Sequence, residues 1–186
     1  MSGWRDCIVV LMDLIGVKRL AFEGDRAASA LMRSFHQLVR REMASGLHAL
    51  DHAYVWNDSV LLLAYVDDRP KTYERAIHAA DDLKRKVDES TPSYAIAVKG
   101  RAFPSNADPD GTRVTVISAS SYAMANCFEI EAEAKSKELH KAWYIDVRIA
   151  RKIRVARAPE WVAVPLWPGG KQRRVYVHNG YLWGGV

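Results

Sequence analysis

Two carboxylates stand out for where they fall. Asp13 closes the apolar run Cys7-Ile-Val-Val-Leu-Met12, and Asp58 follows Asn57 between two further apolar stretches, 45 residues downstream. A run rich in Ile, Val and Leu reads as a strand buried on both faces. A carboxylate at its end is costly unless its charge is compensated. A divalent cation supplies that compensation, and Asp oxygen is a suitable hard ligand. The competing role for Asp13 is a cap on the turn that Gly16 permits. For Asp58 it is an ordinary hairpin tip. Neither residue is decisive alone.

Whether the two meet depends on the elements that carry them. Ala28, Leu31, Met32, Phe35, Leu38 and Val39 recur at helical spacing and predict a helix over Asp25–Met43, ended by Gly46 and preceded by a connection containing Lys18 and Arg19. Strands are expected at Leu47–Trp56 and Ser59–Val66, joined at Asn57-Asp58 by a tight turn. A second amphipathic helix follows over Lys71–Val87, then a strand at Tyr94–Ala102, a loop over Phe103–Gly111 and a strand at Arg113–Ile117. Ser118 and Ser120 are N-cap candidates for a helix reaching Ser136. A strand at Trp143–Ile149 and a hairpin of Trp161–Leu166 with Arg173–His178 complete the chain.

That order predicts an α+β fold, a ferredoxin-like βαββαβ sandwich with helices on one face of the sheet and a C-terminal helix, strand and hairpin added, as one domain over 1–186. The first strand and first hairpin are then neighbours. Asp13 and Asp58 come to one end of the sheet, where two carboxylates can hold two divalent ions for in-line chemistry on a triphosphate.

Composition narrows the partners. The chain has 186 residues, 49% of them hydrophobic and 26% charged, as in an ordinary globular protein with a full core. No apolar run approaches a membrane span, and the N-terminus has no secretory signal pattern, so a cytoplasmic protein without a membrane partner is expected. Cys7 and Cys127 show no metal-ligand spacing and read as reduced, buried thiols. The net charge of +5 is concentrated between Lys135 and Arg174. It fits either a phosphate-bearing partner or a solvated cationic face.

With both carboxylates and their interval in view, the sequence resembles the class III nucleotide cyclases over about Cys7 to Lys135. Asp13-Leu14-Ile15-Gly16-Val17 matches the Asp-Ile-x-Gly-Phe pattern that ends their first strand. Asn57-Asp58 matches the second metal-binding Asp of their first hairpin. The resemblance implies two Mg²⁺ or Mn²⁺ ions on Asp13 and Asp58 with the Leu14 carbonyl, and a phosphate cradle of backbone N–H groups from Leu14, Ile15, Gly16 and Val17. It implies a head-to-tail homodimer with shared active sites and a nucleoside triphosphate substrate, with no nucleic acid expected.

The departures from the family point to the base. Tyr54 stands where purine cyclases carry a base-reading Lys, and Thr115 where its partner Asp is common. Tyr122 and Asn126 occupy the positions of the Asn and Arg that steady the transition state. Lys171 resembles a phosphate-binding Lys of some members, with Arg113 and Lys99 as rivals for the cation. Short chains of this kind look like the pyrimidine cyclases of bacterial Pycsar anti-phage systems, which implies cyclic UMP or cyclic CMP and a separate effector. UTP is the expected substrate, with Thr115, Lys99 or Arg101 as donors to uracil O4. The alternatives are a cytidylate or purine cyclase, or a cyclase fold without catalysis that binds nucleotide or RNA.

Overall fold

A computed structural model describes residues 4–45, 47, 49–103, 118–119, 121–138, 141–154, 160–166 and 171–183. The order is β1 (Arg5–Leu14), α1 (Val17–Glu23), α2 (Asp25–Ser45), β2 (His52–Trp56), β3 (Ser59–Tyr65), α3 (Pro70–Asp88) and β4 (Ser93–Phe103). Then come β5 (Ser118–Ala119), α4 (Ser121–Ser136), β6 (Trp143–Asp146), α5 (Val147–Ala150), β7 (Glu160–Leu166) and β8 (Lys171–His178). The strands form one eight-stranded sheet in the order β2-β3-β1-β4-β6-β8-β7, with the short β5 on β4. The first four positions are the ferredoxin-like arrangement, and β6, parallel to β4, extends it into the hairpin β7–β8.

Every residue of β1 from Cys7 to Met12 is buried, so both faces of the sheet need cover. Ile8, Val10 and Met12 pack with Phe35 and Val39 of α2 and Tyr73, Ile77 and Leu83 of α3. Cys7, Val9 and Leu11 lie in a second cluster with Ala123, Cys127 and Ile130 of α4. The expectation of helices on one face is corrected here: α4 covers the other. Gly100 lets it approach, because a Cβ there would lie 2.4 Å from the Ala123 Cβ.

Other boundaries shift for local reasons. The connection expected around Lys18 and Arg19 is the helix α1, started by Gly16 in the left-handed region at φ 89°. β2 begins at His52 rather than Leu47, because Leu50 N–H turns back to the Leu47 carbonyl. The strand expected to reach Ile149 stops at Asp146, whose carboxylate accepts from Arg148 N–H and caps α5. The strand expected at Arg113–Ile117 lies outside the described residues. Among the described residues no helix is long and apolar enough to cross a membrane.

Candidate active site

Asp13 is the penultimate residue of β1, directly opposite Ser59 of β3 and Tyr94 of β4. Strand alternation puts it on the α4 face, in line with Val9 and Leu11. Ser59 Oγ donates to its Oδ1, and the Tyr94 hydroxyl donates to its Oδ2 at 2.8 Å. The same hydroxyl lies 2.5 Å from Oε1 of Glu131 on α4, an oxygen that also accepts from Lys135 Nζ. Burial pushes the Asp13 carboxyl above the usual carboxylate range. Ser59 and Tyr94 pull it back, while the charges of Asp58 and Glu131 push it up again.

Asp58 sits in the two-residue turn between β2 and β3, where Asn57 takes the left-handed conformation at φ 46° that such a turn needs. Two contacts hold the turn in place. Leu14 N–H donates to the Asp58 carbonyl at 3.0 Å, and His36 Nε2 of α2 reaches the Asn57 carbonyl at 2.6 Å. Asp13 and Asp58 therefore open on one cavity of about 690 Å³, which Gly16, Tyr94, Glu131 and Lys141 also line.

The expected phosphate cradle narrows. Leu14 N–H is already bonded to the Asp58 carbonyl, and Ile15 N–H donates to the Pro92 carbonyl at 2.8 Å. Neither can serve a phosphate, which leaves Gly16 and Val17 at the turn. Lys99 and Arg101 lie away from this cavity. Lys99 sits opposite Ile8, on the α3 face, paired with Asp6 at 2.9 Å and 5.5 Å from the Tyr73 ring centre. Arg101 also faces Asp6. Both lie toward the far end of β4 from Asp13, so Lys99 is not a cation for this cavity within one chain.

Tyr54 packs against the α4-face cluster, and its hydroxyl has no hydrogen-bond partner among the described residues. Burial raises its phenol above the ordinary value. Asn126 is buried at 3% exposure. Neither Tyr54 nor Asn126 lines the cavity that holds Asp13 and Asp58. Thr115 and Arg113, and the side chains of Tyr122 and Lys171, lie outside the described residues.

The donor set fits a small hard cation. Each Asp13 oxygen accepts one hydrogen bond and keeps a lone pair. Among the described residues no three His, Cys, Asp or Glu side chains converge as a closed metal cage. An ion here would complete its shell with carbonyl, water and phosphate oxygens, as Mg²⁺ does.

Sequence reasoning missed Tyr94, Glu131 and Ser59. Ser59 was legible as the residue facing Asp13 across the hairpin. Tyr94 and Glu131 carried no signal, because only the β1–β4 register and the seat of α4 bring them to Asp13.

Solved structures of similar fold include adenylyl and guanylyl cyclases. An adenylyl cyclase from P. aeruginosa (CyaB) superposes with a TM-score of 0.68 at 10% identity, over 94% of this chain and 94% of its own. A bacterial light-regulated adenylyl cyclase gives 0.66 at 10% identity, over 95% and 91%. The guanylate cyclase domain from Catenaria anguillulae, solved with GTP, gives 0.59 at 12% identity, over 96% and 99%. The fold is that of class III cyclase catalytic domains. No family model matches the chain, and no curated protein matches its sequence.

Proposed function

We propose that this chain cyclises a nucleoside triphosphate, preferring UTP, to the 3′,5′-cyclic monophosphate and pyrophosphate. The observation that carries the reading is the convergence of Asp13 and Asp58 on one cavity, in a fold shared with adenylyl and guanylyl cyclases. In the reaction the ribose 3′-hydroxyl loses its proton to solvent as its oxygen bonds to the α-phosphorus, the bond from the α-phosphorus to the β-phosphate oxygen breaks, and pyrophosphate leaves with the electron pair. Divalent ions, when bound, would acidify the 3′-hydroxyl and neutralise the triphosphate. Asp13 and Asp58 would hold them, with the Leu14 carbonyl as a further oxygen. Gly16 and Val17 N–H groups would meet phosphate oxygens where α1 begins.

The shared-site homodimer is part of this proposal. Its support is the separation of Tyr54 from the carboxylate cavity within one chain. A base read by Tyr54 would then belong to a nucleotide whose phosphates sit on the partner's Asp13 and Asp58. Tyr122, Asn126 and Lys171 are proposed to serve the transition state in that arrangement. Of these, the buried Asn126 would act by holding α4.

Tyr54 supports the pyrimidine preference, since it offers bulk and one hydroxyl where purine cyclases present a cation. An anti-phage role through a separate effector rests on the sequence resemblance alone. The deciding experiment incubates the protein with each of the four ribonucleoside triphosphates and Mn²⁺ and identifies products by mass. Cyclic UMP in excess is expected. A cyclic purine as main product overturns the pyrimidine assignment, and no cyclic product from any of the four overturns the cyclase reading.

A further inference from the structure

We propose that Tyr94 is a positioning residue for Asp13, a brace that aims the free lone pairs of Asp13 into the cavity where a divalent ion binds, and that Glu131 opposes it by drawing on the same phenol proton. The inference rests on the reading of Asp13 as a metal ligand.

The geometry is a chain of side chains across four elements. Lys135 and Glu131 come from α4, Tyr94 from β4, Asp13 from β1 and Ser59 from β3. A carboxylate held by one donor on each oxygen cannot rotate about its last torsion without losing both bonds. With Tyr94 absent, Ser59 alone would leave the Asp13 plane free to turn. The Tyr94 ring packs on the apolar α4-face cluster, so its place is set by packing and only its hydroxyl does polar work. That hydroxyl has one proton within reach of two carboxylates, at 2.8 Å from Asp13 and 2.5 Å from Glu131.

Glu131 acts at one remove. Its Oε1 is engaged by both Tyr94 and Lys135, and it does not join Asp13 and Asp58 in a three-carboxylate cage. It competes with Asp13 for the single phenol proton, and Lys135 holds it beside the phenol. It also ties α4 to the carboxylate end of the sheet. Outer groups that orient a ligand, as Tyr94 orients Asp13, commonly govern metal affinity by about 10–100-fold.

The test measures Mn²⁺ uptake by the protein alone, from the electron paramagnetic resonance signal of free Mn²⁺, with no nucleotide and no turnover. Tyr94→Phe keeps the ring and removes the hydroxyl; its affinity should fall about tenfold or more with an unchanged melting temperature. Glu131→Ala and Glu131→Gln should bind Mn²⁺ at least as tightly as wild type, because the phenol proton then goes to Asp13 alone. The double variant Tyr94→Phe/Glu131→Ala should match Tyr94→Phe, since Glu131 acts through Tyr94.

Asp13→Ala separates the two levels of the claim. If it binds Mn²⁺ like wild type, or if wild type takes up none at millimolar Mn²⁺, Asp13 is not a ligand and the brace falls with it. If Asp13→Ala loses Mn²⁺ while Tyr94→Phe keeps wild-type affinity, the positioning role alone is overturned. Weaker Mn²⁺ binding in Glu131→Ala than in wild type overturns the assignment of Glu131, which would then act on the ion directly.

Discussion

Ser59 and Asp13, 46 residues apart, meet side chain to side chain across the β1–β3 ladder, and the residue before Ser59 is Asp58. One register therefore sets three things: the donor to Asp13, the face on which Asp13 lies, and the reach of Asp58. A slip by one residue would move Asp13 to the opposite face.

Loss of either carboxylate should abolish cyclisation without unfolding the chain. Metal-assisted charge stabilisation contributes several kcal/mol, so Asp13→Ala and Asp58→Ala should each lower kcat/KM by about a hundredfold or more. Steady-state assays with Mn²⁺, alongside circular dichroism, check this. Near-wild-type turnover in either variant contradicts the two-metal site.

Asp13 should cost the metal-free protein stability at neutral pH. Its folded carboxyl titrates above the ordinary range, chiefly through burial, so the native state holds a proton that the unfolded chain has released. Stability then falls as pH rises from about 4 through the folded value. Asp13→Asn removes this dependence, and its amide can still meet Ser59 and Tyr94. Without metal at pH 7 it should melt higher than wild type, by about 2–4 °C for each kcal/mol relieved, with the gap closing below about pH 3. Thermal melts across pH measure it, and a lower melting point for Asn at pH 7 would contradict the sign.

Gly100 should tolerate no side chain. With its Cβ position 2.4 Å from that of Ala123, Gly100→Ala must push α4 away from β4, at a cost of about 1–3 kcal/mol. Ala123→Gly in the same chain should restore most of the loss. Urea unfolding of the two single variants and the double variant tests it, and full additivity would mean the two sites do not touch.

Shared sites predict complementation. Inactive Asp58→Ala chains mixed with inactive Tyr122→Ala chains should recover some activity through a hybrid site. No recovery in demonstrably mixed dimers would place each site within one chain.

Base preference should follow Tyr54. UTP should show the highest kcat/KM, and a purine, deprived of a buried hydrogen-bond partner worth about 1–3 kcal/mol, should trail by about tenfold or more. Tyr54→Phe should narrow the gap between triphosphates if the hydroxyl reads the base. Measured kcat/KM for all four decides it, and an unchanged ranking would assign Tyr54 to packing.

The ferredoxin-like core and the pairing of Asp13 with the Asn57-Asp58 turn were legible in the amino-acid sequence. Their signals are local: an apolar run, two amphipathic repeats and a turn dipeptide, each short-range and each consistent with the others. The helix α1 was missed because Val17–Glu23 is short, and its start depends on the left-handed backbone of Gly16.

What surrounds Asp13 was decided by tertiary structure. Tyr94 is 81 residues from Asp13 and 37 from Glu131, and nothing in those intervals foretells contact. The β1–β4 register and the close seat of α4 on Gly100 bring them together. The same register turns Lys99 to the other face, where chain spacing alone had left it a candidate. Spacing along a strand tells which residues share a face. Only the packed sheet tells which face meets which helix.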